Sequence, residues 1–189
     1  MNRPDGWKIL VNAATLNIGW FACVLGDAWG RPLVGPVVVA ALIALHLTLV
    51  PRRDRELMLL AGAGVVGYSL DSLLVLAGAI GFDPGSGPLA PSKLWMVALW
   101  MNFATGLNLA LYWLAGRPVL AAALGAVGGP MAYFGGVQLG ALALPGGTVY
   151  GLALVAAAWI VAMPALLALN AALGRCLRRP GQLDLEEIR

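Results

Sequence analysis

The sequence predicts an all-α protein of six transmembrane helices with both termini in the cytoplasm, and three observations carry that prediction. Hydrophobic residues make up 60% of the 189 and charged residues only 11%, for a mean hydropathy of +0.84; a soluble domain carries about 25% charged residues. The apolar residues come in long unbroken runs instead of the stripes that a water-facing helix shows. The basic residues fall in short clusters between those runs, where they read as topology signals and headgroup contacts.

A helix that crosses the hydrocarbon needs about 20 apolar residues at 1.5 Å each. Six stretches qualify. The first covers 9–25; Lys8 ahead of an apolar run resembles a signal peptide, but Asn12, Asn17 and the lack of a small-residue exit predict a retained anchor. The second, 33–50, is stopped by the charged run from Pro51 to Glu56, and the third covers 57–80. A Gly/Pro-rich connection, 81–91, separates the halves. The fourth, fifth and sixth cover 94–115, 119–144 and 148–173. Residues 1–174 are thus expected to form one transmembrane domain, with 175–189 a polar cytoplasmic tail. The runs do not alternate and are far longer than a barrel strand, so helices are the way to satisfy the backbone in lipid.

Orientation follows from the basic residues. With the amino terminus inside, Arg3, Lys8, Arg52, Arg53, Arg55, Arg117, Arg175, Arg178, Arg179 and Arg189 are cytoplasmic, and only Arg31 and Lys93 lie opposite. An odd number of spans would put the carboxy-terminal arginines outside. The expected location is a bacterial inner membrane.

The net charge of +3 needs no nucleic-acid partner, because these clusters already have a role at the membrane. Cys23 and Cys176 lack metal-ligand or disulfide spacing and read as small apolar fillers. His46 is the single histidine, read as structural or as a proton-accessible group near the inner end of the second span, too far from Asp71 to pair with it. No bis-histidyl haem pair, HExxH or GxSxG motif is present, so no metal or cofactor is expected and no conventional nucleophile is visible.

Asp71 is the most informative residue. It lies about nine residues, or about 13 Å, inside the outer end of the third span. A carboxylate there costs about 2.5–3.5 kcal/mol on insertion scales, so it must face the bundle interior. Asp71 and Ser72 read either as a proton-coupled or ligand-binding point or as a helix-to-helix hydrogen bond. Counting depth along each helix places Asn17, Asn102 and Gln138 at the same level, with Thr105 and Tyr133 slightly deeper. The candidate ligand-binding set is therefore Asp71, Ser72, Asn17, Asn102, Gln138 and Tyr133; the alternative is several separate interhelical contacts.

The fifth span is the least regular. Gly125 with Gly129, and Gly136 with Gly140, have small-xxx-small spacing, and Pro130 lies between the pairs. They read as a helix-packing face kinked at Pro130 or as a discontinuous helix lining a substrate site. Trp20, Trp29, Trp95, Trp100 and Trp113 read as interfacial belts, or as the walls of a quinone, carotenoid or lipid pocket.

Asn17 with Trp20-Phe21 and Cys23-Val24, Asp71-Ser72, Leu99-Trp100 with Phe103, and Gly125-Ala126 with Gly128-Gly129-Pro130 and Ala132-Tyr133 together resemble an uncharacterised family of small bacterial inner-membrane proteins, a domain of unknown function. The resemblance covers nearly the whole chain and implies the architecture but no activity. The expected function is a small transporter or lipid-handling protein with a polar intramembrane site around Asp71. An intramembrane enzyme acting on lipid or isoprenoid substrates is the alternative, though the paired carboxylates it needs are missing; a non-catalytic scaffold is the third. The bilayer is the expected surrounding, a lipid or small molecule the expected substrate, and the glycine face suits a second copy or a membrane partner.

Overall fold

A computed structural model describes residues 4–82 and 90–177. The predicted tail beyond Leu177, with Arg178, Arg179 and Arg189, lies outside the described residues, as do Arg3 and positions 83–89 of the expected Gly/Pro-rich connection. The described chain is all-α with six α-helices: α1 Gly6–Ala28, α2 Val34–Leu49, α3 Arg53–Leu76, α4 Leu94–Thr105, α5 Pro118–Gln138 and α6 Thr148–Cys176. Four of them, α1, α3, α5 and α6, are long and apolar enough to cross a membrane, whereas α2 is a shorter apolar helix of 16 residues and α4 has 12. The outside of the bundle is apolar too, with Val119, Val149, Leu76 and Leu10 all strongly exposed. Such a surface requires lipid around it, and the chain is a multi-pass membrane protein.

Three helices end where a glycine stops them, not where the apolar run ends. The expected spans 57–80 and 119–144 stop early, at Leu76 and Gln138, and the first runs on past 25 to Ala28. Beyond α5, Gly140 takes φ +85°, its N–H bonding the Val137 carbonyl while Ala141 N–H reaches back to Gly136. Gly30 and Gly78 close α1 and α3 in the same way. This six-to-one closure needs a left-handed residue, which glycine adopts without a Cβ penalty. Gly140 therefore caps a helix and is not part of a packing face; a Cβ there would meet no neighbour.

The expected single helix over 94–115 is broken. After Thr105 the chain makes two 3-10 turns, Gly106–Asn108 and Tyr112–Leu114. Side chains from elsewhere take over the freed backbone groups: Ala110 N–H donates to Asn12 Oδ1 of α1 at 3.2 Å. Irregular backbone at membrane depth persists where it is buried in protein. The fifth span, by contrast, is one helix through Pro130.

α4 sits against α1, α2 and α3; α3 also packs on α6, and α5 packs mainly on α6. Small residues set the close approaches. Gly35 of α2 fits against the buried Cys23 of α1, while Gly125 and Gly129 of α5 fit against Trp159 of α6, where an added Cβ would overlap the backbone or the indole. Cys176 lies exposed at the end of α6. At one end of the bundle, the loops after α3 and α5 are tied by paired backbone hydrogen bonds of 2.9 Å between Gly81 and Ala143.

Candidate functional site

Asp71 faces the bundle interior with no exposed surface. Tyr133 of α5 donates its hydroxyl proton to Oδ1, and Trp100 of α4 donates its indole N–H to Oδ2 at 2.8 Å. Both carboxyl oxygens thus have protein donors from different helices. One turn before Asp71, Gly67 leaves the space in which the Trp100 indole lies, since any Cβ there would overlap the ring. Trp100 stacks on Trp159 of α6, with centroids 4.5 Å apart and planes 14° apart, and Phe103 meets Trp159 edge-on at 5.2 Å. Offset stacking and edge-to-face contact are the favoured ring geometries. Ser72 is buried beside Asp71, and its hydroxyl has no partner among the described residues.

These rings form one wall of a half-open cavity of about 330 Å³. The remaining aromatic lining comes from Trp20 on α1, Trp95 at the start of α4 and Trp113 in the second 3-10 turn. Among the described residues the lining contains no charged side chain, and Asn102 and Tyr133 are its polar members besides the tryptophans. Asp71 itself does not line the cavity. It stands behind Trp100 and Tyr133 and accepts a hydrogen bond from each.

The expected polar layer does not assemble as one unit. Asp71 and Tyr133 meet, with Ser72 alongside. Asn102 is buried and donates to the Leu16 carbonyl of α1 at 3.0 Å, reaching the cavity from another side. Asn17 is exposed and bonds its own helix at the Ala13 carbonyl, 2.8 Å away, and Gln138 is exposed on the last residue of α5. Depth along a helix fixes the level of a side chain but not the direction it faces. Of the expected packing residues, Gly125 and Gly129 lie against Trp159, Gly136 has room only for Leu142, and Pro130 is half-buried.

Sequence reasoning missed a second polar cluster at the opposite end. Glu56, read as part of a charged loop, is buried: its Oε1 accepts from Asn108 Nδ2 at 2.6 Å, and its Oε2 lies 3.3 Å from His46 Nε2. Asn170 of α6 donates to Asn108 Oδ1 at 2.8 Å, and Arg55 donates to the carbonyl and side-chain oxygens of Asn170 at 3.0 and 2.7 Å. Asn12 donates to Thr105 Oγ1 at 3.0 Å. The asparagines inside apolar runs were the available signal. Trp159, also missed, sits well inside the sixth run and away from any interfacial belt.

A family described as "Protein of unknown function (DUF2878)" matches residues 9–165, and the chain belongs to that family. No curated protein and no solved structure matches the chain.

Proposed function

We propose that this member of the DUF2878 family is a lipid-handling membrane protein that holds one apolar, lipid-derived molecule between α1, α4, α5 and α6. The observation that carries this reading is the aromatic cavity. A pocket of about 300–1,000 Å³ with apolar walls and a few polar groups is the usual form of a small-molecule site. α1 and α5 both line it yet do not pack along their length. They approach at Trp20, whose ring tip lies so near Gly135 that an added Cβ would be 3.1 Å away. A molecule dissolved in the bilayer enters sideways through that gap. Tyr133 and Asn102 meet the ligand, and Asp71 and Ser72 lie behind them; Asn17 and Gln138 have no part in binding.

The same reading takes α2 and the broken α4 segment as the two remaining spans, giving six in one domain over 1–174 with a tail from 175. Lys8, Arg52, Arg53, Arg55, Arg117 and Arg175 fall at the end where α1 and α5 begin, against Arg31 and Lys93 at the other. That asymmetry favours a cytoplasmic amino terminus in a bacterial inner membrane.

Gly128 lines the cavity, and a Cβ on it would meet nothing within 4 Å, so the side chain of Gly128→Leu starts in open space and takes up cavity volume. Protein purified in mild detergent and examined by native mass spectrometry should retain a bound lipid-class molecule. Gly128→Leu should lose it while melting at or above the wild-type temperature. Equal retention by Gly128→Leu, or no ligand taken up from a total lipid extract, would refute the proposal.

A further inference from the structure

We infer that the occupant is an uncharged molecule bearing a flat, unsaturated portion, such as a prenyl chain or a quinonoid ring, rather than a saturated chain or a charged headgroup; this rests on the cavity being a binding site.

Charge is excluded by the lining. Among the described residues it offers no Lys, Arg or His to pair with a phosphate or carboxylate, and no Asp or Glu to pair with an amine. The carboxyl of Asp71 has both oxygens occupied by Tyr133 and Trp100 and is screened from the cavity by those side chains. A charged group entering would be desolvated without compensation, and water-free burial of an unpaired ion is the costliest contact available. A neutral hydroxyl or carbonyl can be met by Tyr133 or Asn102.

Flatness follows from the walls. A saturated chain needs only apolar area, which Leu and Val supply as well as rings do. Here seven aromatic side chains from α1, α4, the turn after it, α5 and α6 converge on one space. The fold also keeps glycines at Gly67 and Gly129 so that the indoles of Trp100 and Trp159 can lie there. Ring faces reward π-bearing ligands with stacking in addition to area. On α5 the cavity is bounded at Gly128 by backbone instead of a side chain, and the space where a Cβ would stand is open.

The test uses the full chain in phosphatidylcholine nanodiscs, with quenching of tryptophan fluorescence by decylubiquinone as the probe. Quenching should saturate in the wild type and fall to the bilayer background in Gly128→Leu. Farnesol should then relieve the quenching at concentrations about tenfold lower than hexadecanol or farnesyl diphosphate require. Equal competition by hexadecanol would overturn flatness, and equal competition by farnesyl diphosphate would overturn neutrality; both leave the cavity standing as a lipid site. If neither decylubiquinone nor any competitor acts differently on wild type and Gly128→Leu, the proposed function falls with the inference.

Discussion

Asp71 and Glu56 both stand on α3, both are buried, and each is met at its two oxygens by side chains from other helices. Their surroundings differ. The partners of Asp71 are aromatic, and they turn their remaining surface to an open cavity. The partners of Glu56 are His46 and Asn108, and Asn108 joins Asn170 and Arg55, tying α2, α3, α6 and the break after α4 into one filled network. The same chemical device thus holds the walls of a space at one end and closes the fold at the other. A buried acid in a membrane span is therefore no guide to function until its neighbours are known.

Four substitutions bear on that contrast, in falling order of expected effect on stability. Glu56→Ala should cost about 3 kcal/mol, because it leaves the buried His46 without its partner and removes one from Asn108; reversible unfolding in mixed micelles measures it, and a loss below about 1 kcal/mol would show the network to be dispensable. Its folded fraction should still retain ligand. Tyr133→Phe removes one hydrogen bond and should cost about 1–2 kcal/mol, but here ligand retention should fall with it, since the phenol belongs to the cavity wall; unchanged retention would make the Asp71 cluster purely structural. Gly140→Ala forces an alanine into the left-handed region at about 1 kcal/mol, read as a lower melting temperature with binding intact. Asn17→Leu should stay within about 0.5 kcal/mol of wild type and bind normally; a loss of binding would restore the polar layer that depth alone suggested.

How much could be read in advance varied by residue. That Asp71 turns inward was legible, because a carboxyl facing lipid is too costly. The close approach at Gly125 and Gly129 was legible from their spacing. The glycines that end α1, α3 and α5 were legible in principle, but hydropathy hid those after α3 and α5, since the apolar run continues past each, and it ended the first helix short, at 25. The fifth span, read as a kinked packing face or as a discontinuous helix, runs unbroken, and the break occurs in the fourth, where Asn12 of α1 accepts the freed Ala110 N–H. Glycine permits a break, but a helix with neighbours on all its turns has no reason to take one.

What the sequence determined by itself is the solvent and the class: apolar runs of this length choose lipid, and lipid requires helices because no water is there to satisfy the backbone. It also determined that Asp71 must be sheltered. Only the tertiary structure decided by what it is sheltered, that Trp100 and Trp159 stack as one wall of a cavity, and that Glu56 and Asn170 are joined through Asn108 across the bundle. The physical reason is rotational. These helices are apolar nearly all round, so no stripe records which face turns inward, and the azimuth of each is set by where its few small and polar residues find partners on another helix.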